Sequence, residues 1–207
     1  MKIKSFATLA VGLVALTLPS TAQGAFRWGP TAGVNINTLH WKQKLLTTSS
    51  TAGAQAGVMG ELMIPGIGFG VDFGLKYSMQ GAKVNFGEYP VWSVSGLGDE
   101  TVTIHNLEIP LDLRFKWTRM DGLEEIVAPF AYAGPAFVFN LADNKCSALE
   151  YPAGYLAIRC GLGLEFIKKI QLSAGYSWGV SYITRTVKLD NLSAQPRSWN
   201  IALTYLF

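Results

Sequence analysis

Ten charged residues share the polar parity of segments in which apolar and polar residues alternate. The positive members are Arg27, Lys76, Arg114, Lys116 and Arg159, and the negative members are Glu61, Asp72, Glu108, Asp112 and Glu165. Charged side chains persist in protein interiors when they are paired, and here the two signs balance. The pattern therefore predicts a paired network on the enclosed side of a sheet. The functional alternative is a charged path that conducts ions.

The sequence offers few residues for catalysis or for a cofactor. Two histidines occur, His40 in a polar stretch and His105 near the start of an alternating segment. A histidine beside a serine could act as a general base, but no spacing in the chain marks such a pair. No metal-ligand spacing is present, and the glycines of 66–70 precede no helix, which a dinucleotide fingerprint requires. We expect no catalytic residue, no metal and no cofactor.

The two cysteines, Cys146 and Cys160, have different surroundings. Cys160 shares the parity of an apolar face about halfway along a predicted strand, whereas Cys146 lies in a polar loop. A disulfide needs Cα atoms within about 7 Å. We favour two free thiols, and a disulfide, which export would permit, stays the alternative.

The N-terminus has the features of a secretory signal peptide. Lys2 and Lys4 precede a short apolar core, and small residues follow at a cleavage site that we place after Ala22, with Gly24 or Ala25 as alternatives. A membrane anchor would need a longer apolar run. We assign 1–22 to the signal peptide and 23–207 to one domain. Loss of Lys2 and Lys4 lowers the formal charge from +3 to +1, so nothing favours a nucleic-acid partner.

Alternation of apolar and polar residues recurs along the whole mature chain, most clearly in 67–80. Seven apolar residues there alternate with seven glycines or polar residues. Strands in soluble sandwiches usually have about five or six residues, whereas a tilted membrane strand needs about 9–11. The inward parity is small and rich in glycine, and could not fill a dry core. The outward parity is apolar, with aromatic residues near several strand ends, as in the girdles of membrane proteins.

We count eight such strands. The segment 126–141 is apolar on both parities, and we place Gly134 and Asn140 inside and Phe137, Phe139 and Leu141 outside. Short connections alternate with long ones, which is typical of outer-membrane barrels. The short ones are 65–66, 118–124 and 167–169, and the long ones are 38–51, 81–100, 142–152 and 184–196. The predicted fold is an all-β, eight-stranded, antiparallel, up-and-down transmembrane β-barrel.

The last segment, 197–207, ends the sequence on an aromatic residue. Trp199, Tyr205 and Phe207 share its apolar face, and polar residues occupy the other face. This pattern suits the closing strand of an outer-membrane barrel, although the last strand of a soluble sandwich has a similar form. We predict that these three aromatic residues form the insertion signal read by the barrel assembly machinery.

Six segments resemble the PorT-like family of small outer-membrane β-barrels of Gram-negative bacteria. They are T-A-G-V-N-I-N-T-L (31–39), L-K-Y-S-M-Q-G-A-K (75–83), N-L-E-I-P-L-D-L-R-F-K-W (106–117), P-F-A-Y-A-G-P-A-F (129–137), A-G-Y-S-W-G-V (174–180) and the last strand. The resemblance implies an eight-stranded barrel in the outer membrane. The namesake of the family is associated with type IX secretion, while many relatives have no assigned role.

These observations favour a non-catalytic outer-membrane barrel whose interior is plugged. We expect a structural or interaction role, with outer-membrane lipid and, by resemblance, proteins of a secretion complex as partners. The alternative is an outer-membrane enzyme that modifies lipid.

Overall fold

The computed structural model describes residues 26–41, 47–64, 66–85, 99–118, 122–144, 149–150, 153–181, 184–186 and 193–207. The predicted signal peptide and Cys146 lie outside these residues.

Eight long strands build the fold. They are β1 (Phe26–Trp41), β2 (Thr47–Met63), β3 (Phe69–Asn85), β4 (Asp99–Lys116), β5 (Val127–Asp143), β7 (Gly154–Phe166), β8 (Ile170–Gly179) and β10 (Ser193–Tyr205). Two short strands, β6 (Leu149–Glu150) and β9 (Thr184–Thr186), pair with each other, and β9 also pairs with the start of β10. A 3-10 helix, Leu123–Glu125, lies between β4 and β5.

Each long strand pairs antiparallel with the next long strand along the chain. The first and last strands also pair, from Thr31 opposite Thr204 to Trp41 opposite Ala194. This pairing closes the sheet, and the predicted eight-stranded antiparallel barrel is confirmed. Closure satisfies the backbone groups that the edges of an open sheet would leave unpaired.

The two parities of the strands face opposite environments, as the alternation predicts. On β4, Asp112 points into the barrel and is 1% exposed, whereas its neighbour Leu113 points outward and is 58% exposed. The segment 126–141, which is apolar on both parities, follows the same rule. Gly134 and Asn140 face the interior, and Phe137 and Phe139 are exposed outside, so the predicted register of β5 is confirmed.

The strands are longer than the alternation predicts. The segment 81–100 was expected to be a loop, but β3 continues to Asn85 and β4 already begins at Asp99. In 101–105 the alternation continues with its faces exchanged, because the polar residues point outward and Val102 and Ile104 point inward. The backbone ladder also continues, with Asn85 opposite Asp99. The predicted bounds at this end of the barrel are therefore wrong.

The described residues of the short connections (64, 66–68, 117–118, 122–126 and 167–169) all lie at one end of the barrel, which we call the short-turn end. The opposite end is the long-loop end. Across the residues described, no helix is both long and apolar enough to cross a membrane.

Candidate functional site: the ion pairs of the lumen

The ten charged side chains picked out by parity lie in the lumen, where eight are buried and Arg27 and Arg159 are half-buried. They form two groups. The lower cluster, toward the short-turn end, contains Arg27, Glu61, Asp72, Arg114, Lys116 and Glu165. The upper cluster contains Lys76, Glu108, Asp112 and Arg159. Each cluster holds equal numbers of positive and negative groups, so each is neutral by itself.

Glu61 is the centre of the lower cluster. Its carboxylate accepts hydrogen bonds from Arg27 at 2.5 Å, Lys116 at 2.6 Å and Arg114 at 2.9 Å. Gln171, which the parity analysis did not select because it is uncharged, adds a fourth donor at 2.6 Å. These donors come from three different strands, so this one carboxylate links β2 to β1, β4 and β8 across the lumen.

Glu165 completes the lower cluster from the far wall. Its carboxylate accepts hydrogen bonds from Arg27 at 2.7 Å, Lys116 at 2.8 Å and Gln171 at 2.7 Å. Arg27 also donates to the backbone carbonyl of Lys168 at 2.5 Å. The network therefore ties the β7–β8 turn to the first strand.

The upper cluster is looser. Arg159 donates to Glu108 at 3.0 Å, and its Nε lies 3.2 Å from Asp112 Oδ2 without hydrogen-bonding alignment. Lys76 Nζ lies 3.5 Å from Glu108. Buried ion pairs need close geometry to offset the loss of hydration, so we expect this cluster to stabilise the barrel less than the lower one.

Two aromatic rings on β5 pack against arginines of the neighbouring strands β4 and β7. Arg114 lies 4.0 Å from the centre of the Phe130 ring, and Arg159 lies 5.1 Å from that of Tyr132. Cation–π contacts of this kind are favourable when the cation is desolvated. The lumen has room for the Tyr132 ring because the facing position on β7 is Gly161, where a Cβ would collide with it. Both rings were missed from the sequence because β5 is apolar on both parities.

A small cavity of about 30 Å³ lies where the clusters meet. Its lining includes Asp72, Lys76, Arg114 and Arg159. A cavity holds a water molecule when it offers roughly 10–15 Å³ for its centre, so this space suits one or two waters. Such waters could hydrate the Oδ1 atom of Asp72, which has no hydrogen-bond partner among the described residues.

Uncharged residues fill the lumen toward the long-loop end. Hydrogen bonds link Asn35 to Ser78 at 3.0 Å and Tyr155 to Gln80 at 2.7 Å. Beyond them lies an apolar layer of buried side chains, made by Leu39, Val102, Ile104, Val138 and Tyr155. The expectation that inward residues could not fill a dry core is therefore wrong at this end, because inward Val102, Ile104 and Val138 are apolar and buried.

The remaining candidate residues lie on the outer surface. His105 is joined to Tyr77 through a 2.5 Å contact between Nδ1 and the phenol oxygen, and His40 is exposed. Cys160 is a free thiol, exposed on the outer face of β7. Because Cys146 lies outside the described residues, the predicted free thiol at that position stays a prediction. No group of histidine, cysteine and acidic residues suited to a metal occurs in the described part of the chain.

The aromatic residues assigned to the insertion signal all point outward. Trp199, Tyr205 and Phe207 are exposed, and the Phe207 ring packs against Trp28 and Tyr205 at 5.4 and 5.2 Å between centres. The Phe207 backbone N–H also donates to the carbonyl of Trp28 at 2.9 Å. The last residue thus extends the seam between the first and last strands.

Solved structures of small barrels are similar to this chain. OprG of Pseudomonas aeruginosa shares 15% identity, covers 88% of this chain and 94% of its own, and superposes with a TM-score of 0.51. Ail of Yersinia pestis shares 13% identity over 88% and 99% of the two chains, with a TM-score of 0.43. The outer membrane enzyme PagL shares 11% over 83% and 97%, with a TM-score of 0.44. No curated protein matches the chain.

The family model described as the outer membrane protein beta-barrel domain matches residues 20–185, which is most of the chain. The match agrees with the closed sheet, the apolar outer face and the polar lumen. The chain therefore belongs to the outer membrane protein β-barrel family, and it resides in the outer membrane of a Gram-negative bacterium.

Proposed function

We propose that this protein is a non-catalytic outer-membrane barrel with a plugged lumen, and that it serves a structural or interaction role. The observation that carries the proposal is the lower cluster, in which Glu61 and Glu165 hold three cations from two different walls. Each of the ten charges has an opposite charge within 3.5 Å, on a neighbouring strand or across the lumen, so no charge in the network is unpaired.

The apolar layer supports the same conclusion at the long-loop end. An ion that entered there would lose its hydration among buried Val102, Ile104 and Val138 before reaching any charged group. Moving an unpaired ion into such surroundings costs several kcal/mol or more. With eight strands, a barrel interior is only wide enough for its own side chains.

The test is reconstitution of the purified protein in a planar bilayer. We expect no steady single-channel current from protein whose folding is verified by heat-modifiable migration. Stable, ion-selective currents from such protein would overturn the plugged lumen and favour a conducting pore.

The interaction role rests on the resemblance to PorT-like barrels, and the ion pairs that fill the described part of the lumen support a role outside it. That resemblance makes proteins of a type IX secretion complex the first partners to test. Crosslinking in native membranes followed by a pull-down should recover a defined partner in proportion to the bait. Recovery of lipid and assembly machinery alone would argue against an interaction role and leave a structural one.

A lipid-modifying enzyme is the second candidate, and one observation favours it. His105 lies on the outer face of β4, where lipid could reach it, and its ring is held against Tyr77. Thr103, two positions along the same face, carries the nearest hydroxyl on that strand. A change in the mass of lipid A on deletion, restored by wild-type protein but not by His105→Ala, would establish the enzyme. Unchanged lipid A would exclude it for that substrate.

A further inference from the structure

An apolar groove of about 620 Å³ crosses the lipid-facing surface of β4, β5, β7 and β8. The strand register places large and small outward-facing side chains next to each other. Phe115 lies opposite Ala131, Ala131 opposite Leu162, and Leu162 opposite Ala174. Trp117 extends the β4 wall, because its backbone N–H pairs with Pro129 on the floor. The groove is therefore a depression bounded by aromatic side chains on one side and leucines on the other.

The groove lies in the half of the membrane nearest the short-turn end. Trp117 directly follows β4, and Leu164 faces Leu172 two positions from the β7–β8 turn. Each strand residue advances roughly 2.3 Å toward the opposite side, given a rise of about 3.3 Å and a tilt of about 45°. The groove thus occupies about the first half of an apolar band roughly 25 Å tall. Short turns of outer-membrane barrels face the periplasm, so this half belongs to the periplasmic leaflet.

An exposed ion pair stands directly beyond the periplasmic end of the groove. Lys168 Nζ lies 3.0 Å from Glu125, and their side chains are 57% and 69% exposed. The two turns that carry them are joined by a hydrogen bond from Ile167 N to the Ile126 carbonyl at 2.9 Å. Below the floor of the groove, the chain therefore presents one positive and one negative group side by side at the level of lipid headgroups.

We propose that the groove holds one acyl chain of a phosphatidylethanolamine from the periplasmic leaflet, with its phosphate against Lys168 and its ammonium against Glu125. We assign the groove to lipid because this face is continuous with the rest of the membrane-spanning surface. Glu125 offers a partner to an ammonium group and repels added negative charge, so the pair favours a zwitterionic headgroup over an anionic one although exposed Lys169 follows Lys168. The inference does not depend on the interaction role proposed above, because it concerns the outer surface alone.

The experiment is native mass spectrometry of the purified full-length protein in mild detergent. The protein is titrated with palmitoyl-oleoyl phosphatidylethanolamine or with the phosphatidylglycerol of the same chains. We expect one retained phosphatidylethanolamine, and phosphatidylglycerol retained at least about tenfold more weakly, which corresponds to about 1.4 kcal/mol. Equal retention of the two lipids would overturn the headgroup assignment, and no retained lipid would overturn the site.

Two variants locate the binding. Ala131→Phe fills the floor of the groove and should reduce retention at least about tenfold, whereas Ala56→Phe, on the outer face of β2, should leave it unchanged. Equal retention in both variants would overturn the groove as the site. A dimer without lipid would show that a second copy fills it.

Lys168→Gly should remove the preference for phosphatidylethanolamine while the chain still binds. Glycine suits this position because Lys168 has a left-handed φ of 58°, so the barrel should fold normally. Lys83→Ala, at the long-loop end, is the matched loss of an exposed lysine and should keep the preference. A preference that survives Lys168→Gly would overturn the role of the ion pair.

Discussion

Glu61 and Asp72 occupy directly opposite positions on β2 and β3, and Arg114 donates to both carboxylates. The distances are 2.7 Å to Asp72 and 2.9 Å to Glu61. Two carboxylates at one depth would repel each other strongly in a closed lumen. Arg114 therefore makes this strand pairing compatible with burial.

Arg114→Ala should destabilise the barrel by about 3–5 kcal/mol, because it leaves buried carboxylates short of a counter-charge. The measurement is urea unfolding of the reconstituted protein in lipid vesicles. Glu125→Ala is the control, since it breaks an ion pair that is exposed on both sides and should cost at most about 1 kcal/mol. Equal losses for the two variants would contradict a stabilising network.

Leu111→Arg should cost roughly 2–4 kcal/mol, because Leu111 points outward near the middle of the apolar band that starts at Trp117. Thr101→Arg places the same side chain on the same face of the same strand, but at the long-loop end, where water is within reach. It should cost no more than about 1 kcal/mol. Unfolding in vesicles compares the two, and similar losses would show that the membrane band is misplaced along β4.

Deletion of Phe207 should reduce the amount of folded barrel in the outer membrane several-fold if the terminal aromatic residues are the insertion signal. The loss also removes the ring contact with Trp28, so stability must be separated from recognition. Refolding of the shortened protein into vesicles without assembly proteins provides that separation. Wild-type levels of heat-modifiable protein in cells would rule out the signal, and an equal defect in vesicles would assign the effect to stability.

The residue types of the β7–β8 turn are unusual for its backbone conformation. Ile167 and Lys168 both have positive φ, 51° and 58°, which is strained for a β-branched residue such as isoleucine. Two-residue hairpin turns of this shape favour Asn-Gly. Ile167→Asn with Lys168→Gly should therefore stabilise the barrel by about 1–2 kcal/mol in urea unfolding. Unchanged or lower stability would mean that the Ile167 contacts outweigh the relief of strain.

The faces of the strands could be predicted from the sequence because side-chain direction alternates locally, residue by residue. Asp112 and Leu113 needed no knowledge of their neighbours to be placed inside and outside. The same local rule failed toward the long-loop end, where the outward residues of β4 become polar and Val102 and Ile104 point inward, so the extensions of β3 and β4 were taken for loop. It also gave no sign of the apolar layer, whose residues come from β1, β4, β5 and β7.

The sequence already suggested that Arg114 or Arg27 neutralises Glu61 and Asp72, as observed, but which residues meet across the lumen was decided only by closure of the barrel. Arg27 and Glu165 are 138 positions apart, yet they lie 2.7 Å apart because the lumen of eight strands is narrow enough for side chains to reach across it. The groove depends on register in the same way, since Ala131 forms a floor only when Phe115 and Leu162 stand beside it. Composition along one strand determines its two faces, whereas the depth and partners of each side chain depend on how neighbouring strands are aligned.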